Sequence, residues 1–500
     1  MAECIIISNG IRRQHEFFLP QRSLGPYRIH SALKNAGFDA LVIDFIEDFS
    51  EEETYTALKN NIGKETLWVG FSTTFFGSYG TDPNQVDFVE RVIRITKSLS
   101  DCKIICGGAS FAPRILTKLG IDYFVNGSAD ESIINLTNYI KTGDNTHLPY
   151  VEELVNSDGV VIKHILSEKY KTPDLDKIFT DWTDPSYGLT KGEPVTIELA
   201  RGCIFKCKFC DYPLLGKKKG TYTVDPGLMR ENLIRLWESN GTTDYYLADN
   251  TFNDDNDKME TLHKMFTSLP FRPRFSTFIR LDLINRFPHQ AEMLTEMGLV
   301  STYLGIESLN YESARAIGKG LHPNKVKDRL YWLKEKWNGK ASITGGFIFG
   351  LPYDTEAYFQ EFLKWCLQKD NPLDCISISP LWLSNKRSEF SSRSEFELNP
   401  EIYGYEIEES KQNSWALPSQ NLSYEKCKLI TDTYLTILQK RQKINDFSLI
   451  TAINSGVSLE DALSLPFVQI YAKYNFRDKY TRKESVNEYK QRTLRKNKTR

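Results

Sequence analysis

Three thiols lie close together in Glu198-Leu-Ala-Arg-Gly-Cys203-Ile-Phe-Lys-Cys207-Lys-Phe-Cys210, at the spacing Cys-x3-Cys-x2-Cys. A loop that short can turn all three toward one centre. Soft sulfur ligands favour iron–sulfur clusters or zinc. Zinc normally takes four ligands, and no further His or Cys follows nearby to complete such a set. A zinc knuckle and simple buried thiols are the alternatives. A cluster held by three cysteines leaves one iron open to a small molecule, and that is the reading the ligand count favours.

The chain around this loop has 500 residues and a formal net charge of −2. That length predicts two to four domains. The near-neutral charge gives no whole-molecule field toward nucleic acid or membrane. No apolar run is long enough to span a bilayer, and Met1-Ala-Glu-Cys-Ile-Ile-Ile lacks the basic start of a signal peptide. Nine cysteines, an odd number in a long chain, do not form a disulfide framework. A reducing cytoplasm is the expected setting.

Two alternating strand–helix blocks must position the thiols. In residues 1–142, apolar strands are expected at Cys4–Ser8, Ala40–Phe45, Leu67–Ser72, Lys103–Cys106 and Tyr123–Val125. This predicts a doubly wound, flavodoxin-like parallel sheet, whose ligands bind beyond the strands' carboxyl ends. Small residues gather in the loops there: Ser8 and Gly10, Ser72 to Gly80, Gly107 and Gly108, and Gly127. Each alone is a tight turn, but several at one sheet end suggest a ligand crevice. No Gly-x-Gly-x-x-Gly or Gly-x4-Gly-Lys-Ser/Thr occurs, which argues against dinucleotides and nucleoside triphosphates. Residues 143–193 are read as a linker with a small hairpin around Asp158-Gly159.

From 194 to 384, strands are expected at Val195–Leu199, Tyr245–Ala248, Phe275–Ile279, Ser301–Ile306, Ala341–Phe349 and Cys375–Ser379. Six β/α units predict a partial (β/α)6 TIM-type barrel, with reacting groups at the strands' carboxyl ends. The cysteine loop starts just after the first of these strands. Residues 385–500 are expected to be mostly helical, with helices at Tyr424–Gln439 and Leu459–Leu465. The polar stretch 384–395 is expected to be irregular. The basic tail is read as a solvated terminus, with RNA contact as the alternative.

With these residues in order, the sequence resembles the radical S-adenosylmethionine (radical SAM) superfamily, and within it the group with an N-terminal cobalamin-binding domain. The cysteine loop matches Cys-x3-Cys-x-aromatic-Cys with Phe209 as the aromatic. Tyr246-Leu-Ala-Asp249-Asn-Thr-Phe252, Arg280-Leu-Asp282, Gly305-Ile-Glu307-Ser308, Lys319-Gly320 and Gly346-Phe-Ile-Phe-Gly350-Leu-Pro352 follow in the family's order. In the first domain, Leu24-Gly25-Pro26-Tyr27, Gly107-Gly108 and Gly120 to Glu131 are similar to the cobalamin-domain group. The Asp-x-His-x-x-Gly motif that supplies a histidine to cobalt in many cobalamin domains is absent, and His15 fits no cobalt-ligand spacing.

The resemblance implies that Cys203, Cys207 and Cys210 hold a 4Fe–4S cluster and that S-adenosylmethionine (SAM) chelates its fourth iron. One electron, from an external donor such as flavodoxin or ferredoxin, would cleave SAM to methionine and a 5′-deoxyadenosyl radical. Asp249 and Glu307 are the expected partners of the SAM amino group, and Arg280 of its carboxylate or ribose. Ser308 lies with them, while Gly346, Gly350 and Phe209 would border the adenine. Ser8, Gly10, Ser72, Gly107, Gly108 and Gly127 would border cobalamin. The expected reaction is cobalamin-dependent methylation of a small-molecule or macromolecular substrate. Another radical SAM reaction and a non-catalytic iron–sulfur protein are the alternatives. Methylthio transfer is disfavoured, because the first domain carries no three-cysteine set for a second cluster.

Overall fold

Short runs such as Cys-Ile-Ile-Ile and Ala-Leu-Val-Ile have no polar face, so strands built from them must be covered on both sides. The computed structural model forms them as β1 (Cys4–Ile7), β2 (Ala40–Ile43), β3 (Trp68–Ser72), β4 (Lys103–Gly107) and β5 (Tyr123–Asn126). Neighbouring strands pair in parallel in the order β2-β1-β3-β4-β5, the flavodoxin-like order. The structure describes residues 1–10, 21–73, 87–108, 120–147, 151–155, 161–166, 173–212, 214–383, 393–408, 414–439, 457–465 and 482–495, with a few single positions between 449 and 473. His15, the Asp158-Gly159 turn, all of 74–86 and most of 384–395 lie outside the described residues, as do the last five positions of the basic tail.

The segment read as a linker does more than connect. Its strands β6 (Val151–Val155) and β7 (Val161–Leu166) form the expected antiparallel hairpin, and β7 also pairs in parallel with β5. The sheet therefore grows to seven strands, because β5 would otherwise leave a row of unpaired backbone groups at its edge.

The chain divides into two compact units. The first comprises 1–197, 232–242 and 475–500, and the second 198–231 and 243–474. The C-terminal segment of the first unit corrects the expectation of a solvated tail. Its helix Arg482–Leu494 contributes buried Val486 and Tyr489 to the first unit's hydrophobic core. Val486 and Tyr489, with Leu494 half-buried against the same core, are all that mark that face, and the surrounding Lys and Arg residues hide it in the sequence.

Tyr489 also joins a buried polar network beyond β2. Arg22 Nε donates to Glu193 Oε1 at 2.6 Å, and Arg22 Nη1 donates to Tyr27 Oη at 2.8 Å. Tyr27 donates to Asp44 Oδ2 at 2.7 Å, while Tyr489 Oη accepts from the Asp44 amide at 2.9 Å. Arg22, fully buried, thus has a full ion pair and three aromatic rings around it, Tyr489 at 5.0 Å, Phe45 at 5.1 Å and Tyr27 at 5.9 Å.

A second sheet carries β8 (Val195–Ile197), β9 (Asp244–Leu247), β10 (Arg274–Ile279), β11 (Leu299–Glu307), β12 (Ser342–Phe349) and β13 (Cys375–Pro380), in sequential order. Its strands β9 to β13 pair in parallel, with helices between them. Sequential order with crossover helices is the partial-barrel architecture. Past it, the region expected to be mostly helical includes a three-stranded antiparallel sheet of β14 (Glu406–Ile407), β15 (Trp415–Leu417) and β16 (Leu422–Ser423). The helix Tyr424–Gln439 follows it as expected. Strands of two or three residues carry too little periodicity to be seen in sequence. Among the described residues, no helix is long and apolar enough to cross a membrane.

Glu193→Ala leaves the Arg22 charge buried and unpaired. The expected loss is about 3–5 kcal/mol of stability for the first unit, measured by urea unfolding followed by circular dichroism.

Candidate active site at the carboxyl ends of the barrel strands

The cysteine loop is pinned by backbone bonds before any side chain acts. The Cys203 amide donates to the Leu214 carbonyl at 3.0 Å, and the Lys217 amide returns to the Cys203 carbonyl at 3.1 Å. Gly202 makes this approach possible: its φ is +126°, and a Cβ there would meet the Leu214 carbonyl at 2.9 Å. Lys208 donates to the Ile317 carbonyl, and the Cys210 amide to that of Cys207. Cys203 is buried, while Cys207 and Cys210 are half-buried, and all nine cysteines are free thiols.

Burial raises the Cys203 thiol above its usual range and pushes Cys210 up to about 11, with the neighbouring Cys207 and Cys203 adding to the latter. Thiols held protonated and adjacent in this way become thiolates when a bound metal displaces their protons to solvent. Their donor chemistry fits an iron–sulfur cluster. Among the described residues, no three Cys, His, Asp or Glu side chains, the loop cysteines included, are grouped to hold a single metal ion, so the fit to a cluster rests on donor type and spacing.

Asp249, beyond β9, is almost fully buried and braces the start of the loop. Its Oδ1 accepts from the amides of Leu199 at 2.9 Å and Ala200 at 3.1 Å, the residues that lead into Cys203. Its Oδ2 accepts no hydrogen bond and lies 3.9 Å from Lys258 Nζ. Burial pushes this carboxyl up to about 7, against the pull of Lys258 and the two amides. Oδ2 is therefore the oxygen with hydrogen-bonding capacity left, beside the Lys258 ammonium. Lys258 is itself held by Asp254 at 2.6 Å, and Asp254 accepts from Tyr222 at 2.8 Å.

Arg280, beyond β10, reaches the loop directly. Its Nε and Nη2 donate to the two carboxylate oxygens of Asp282 at 3.0 and 2.7 Å. Its Nη1 donates to Cys207 Sγ at 3.3 Å, and the guanidinium lies 3.8 Å from the centroid of Phe205. Asn253, fully buried, grips the Arg280 backbone on both sides: Oδ1 accepts from the amide at 2.8 Å and Nδ2 donates to the carbonyl at 3.1 Å.

At the end of β11, Glu307 takes a left-handed φ of +68° and pairs with Lys319 at 2.8 Å. Ser308 Oγ bonds Tyr358 at 3.2 Å and accepts from the Asn310 amide at 3.0 Å. The room beside Gly346 is taken by Tyr303, whose hydroxyl a Cβ would meet at 2.3 Å. Beside Gly350, at φ +95°, it is taken by Trp415 at 2.2 Å. The close approach these glycines permit on those sides thus serves the protein's own rings. Asp354, fully buried, accepts from the Gly350 and Leu351 amides, both at 3.0 Å, and from Ser313 at 2.9 Å. Phe209 is half-buried in the cysteine loop.

The structure therefore bonds Arg280 to Cys207 and Asp249 to the backbone leading into the loop, while Cys203 Sγ lies 3.6 Å from Thr251 Oγ1. Glu307 and Ser308, and Gly346 and Gly350, stand at the ends of β11 and β12 with their own partners. Asn253, Lys258, Phe205 and Asp354 escape the sequence reading. Asp254 and Lys258 at i,i+4 were the available signal for one, and Asp354-Thr355 before a helix for another.

In the first unit, the expected crevice residues lie at or just beyond strand ends of the parallel sheet. Ser8 is buried, with Oγ 3.4 Å from Ser23 Oγ. Ser72 ends β3, and the Gly107 carbonyl accepts from Thr73 Oγ1 at 3.0 Å. Gly108 and Gly127 have φ of +110° and +81°. Gly10 makes room for a ring, since a Cβ would lie 2.4 Å from Phe45 Cε1.

Residues 197–366 match the model of the radical SAM superfamily. A protein described as a methylthiotransferase from Methanocaldococcus jannaschii is 24% identical over 321 residues, 62% of this chain and 66% of its own length. Alignments to the curated relatives span no more than about two thirds of their length. Among solved structures, the radical SAM methyltransferase TsrM from Kitasatospora setae, with tryptophan and a SAM analogue bound, superposes with a TM-score of 0.59 at 15% identity. It covers 81% of this chain and 77% of TsrM. The cobalamin-dependent radical enzyme OxsB, with aqua-cobalamin and SAM bound, superposes with a TM-score of 0.56 at 13% identity, over 99% of this chain and 72% of OxsB.

Asp354 gives a pH test of this scaffold. Burial pushes its carboxyl up to about 7 from an ordinary 3.8. The folded state thus holds a proton that the unfolded chain has released. The Asp354 contribution to stability is full below about pH 4 and declines as pH rises toward 7, at up to about 1.4 kcal/mol per unit. Asp354→Asn keeps an acceptor for both amides and removes the charge, so its urea midpoint is expected to vary less over that range than the wild type's.

Proposed function

We propose that this chain, which carries a radical SAM domain over residues 197–366, is an enzyme that reductively cleaves SAM and uses cobalamin to methylate its substrate. The observation that carries the reading is the three-cysteine loop at the carboxyl end of the first barrel strand, braced by Asp249 and gripped by Arg280. The cobalamin part draws support from the flavodoxin-like order of the first sheet and from the cobalamin that TsrM and OxsB hold.

When bound, the cluster supplies the electron that cleaves SAM, and cobalamin supplies a carrier for the methyl group. The chain's own residues bind and orient. Cys203, Cys207 and Cys210 hold three irons, and the Asp249 Oδ2 faces a cationic group such as the SAM ammonium. Buried Asn253 and Asp354 fix the strand ends around them and need not touch substrate. Ser8, Ser72, Gly107, Gly108 and Gly127 border the cofactor end of the first sheet.

Methylthio transfer, suggested by the archaeal relative's description, is less well supported. Of the first unit's described cysteines, Cys4 and Cys106 are buried in strands and Cys102 is half-buried outside them; burial raises all three thiols, Cys4 and Cys106 far above their usual range. A set so placed offers no second cluster loop.

Anaerobic reconstitution with iron, sulfide, cobalamin, dithionite and methyl-labelled SAM tests the proposal. The expected result is 5′-deoxyadenosine from the wild type, with label appearing on the protein-bound cobalamin. Cys203→Ala, Cys207→Ala and Cys210→Ala should lose the iron–sulfur absorbance and at least 100-fold of the SAM cleavage, on the order of the loss when one essential group is removed. Absence of 5′-deoxyadenosine from a wild type with an intact cluster would refute SAM cleavage. Cleavage without bound cobalamin would leave the radical chemistry and refute methylation by this route.

A further inference from the structure

The geometry points to Arg280 as the residue that sets the reduction potential of the cysteine-held cluster, through a charged N–H···S bond to Cys207, rather than as a ligand of SAM. This rests on the cluster part of the proposed function and extends it. Family patterning alone would have Arg280 meet the SAM carboxylate or ribose. Three of its five N–H groups are already committed, two to Asp282 and one to Cys207 Sγ at 3.3 Å. The guanidinium face is covered by Phe205, a residue of the same loop, at 3.8 Å.

Nothing about this placement is loose. Arg280 is 6% exposed, and the Asn253 carboxamide fixes its backbone from both sides while bonding to Gln290 at 3.1 Å. A bidentate pair with Asp282 sets the plane of the guanidinium. With that plane set, Nη1 has one orientation, and one of its N–H groups meets the sulfur. Asp282 holds the Nε and Nη2 edge, so it offsets part of the guanidinium charge while steering the Nη1 N–H that faces the sulfur.

Hydrogen bonds to cluster sulfurs, net charge and exposure are the levers that tune iron–sulfur potentials. A cation donating to a ligand sulfur favours the state with one more electron, so Arg280 raises the midpoint. Asp282 and Asn253 act through Arg280 and are positioning residues. The half-buried Cys207 is the thiol this bond stabilises, whereas buried Cys203 has Thr251 Oγ1 at 3.6 Å instead.

The test is a redox titration of the reconstituted full-length protein, without SAM, using dithionite and mediators and reading the reduced cluster by electron paramagnetic resonance. For Arg280→Gln, the ratio of reduced to oxidised cluster at the wild-type midpoint should fall about tenfold, a shift of roughly −59 mV for a one-electron couple. Arg280→Lys keeps the charge but cannot serve Asp282 and Cys207 together, so a smaller shift of the same sign is expected. If Arg280→Gln loses its iron, the Lys variant decides the matter. Midpoints equal to the wild type's in whichever variants retain iron, with weakened SAM binding by equilibrium dialysis, would overturn the inference and return Arg280 to SAM. A wild type that forms no cluster would instead sink the proposed function and this inference with it.

Discussion

One buried carboxylate carries much of the site's architecture. Parallel strands end with backbone amides that no neighbour can satisfy, and in a covered sheet water cannot reach them. Asp249 meets this demand for Leu199 and Ala200, where the chain leaves β8 for the cysteine loop. Asp354 does the same for Gly350 and Leu351 beyond β12. Both carboxyls titrate near neutrality because burial opposes their charge. A carboxylate used to stitch strand ends is costly to bury, and only the paired amide donors make the arrangement stable.

The loop so anchored presents its thiols to a ring of side chains with few remaining freedoms. Arg280 is fixed through its backbone by Asn253, through its head by Asp282 and over its face by Phe205. Such redundancy is what a reactive centre needs, since small displacements of a positioning group cost large factors in rate. The same economy appears at Gly346 and Gly350. The missing side chains let Tyr303 and Trp415 close in, which makes the barrel wall denser at those strand ends.

In the first unit, the C-terminal helix shows how distant sequence completes a local structure. Tyr489 reaches the Asp44 amide at the end of β2 and borders Arg22. Phe45, next in the chain, sits in the left-handed region at φ +55° with its ring over Gly10. A bulky residue adopts that conformation only when its surroundings compel it. Here the compulsion is the packed network of Arg22, Tyr27, Asp44 and Tyr489.

The sequence by itself determined the cysteine spacing, the order of strands and the identity of the strand-end motifs. These are local or periodic properties, written in neighbouring residues. Continuous apolar runs specified the parallel strands, and the thiol loop announced its chemistry through ligand type and number. Only the tertiary structure decided what each strand-end residue touches. Arg280 and Cys207 are 73 positions apart, and Asp249 and Leu199 are 50 apart. Their meeting depends on strand register and on competition among several possible partners for each polar atom. No pattern along the chain records that competition. It is resolved when burial removes water as an alternative and leaves each donor one acceptor within reach.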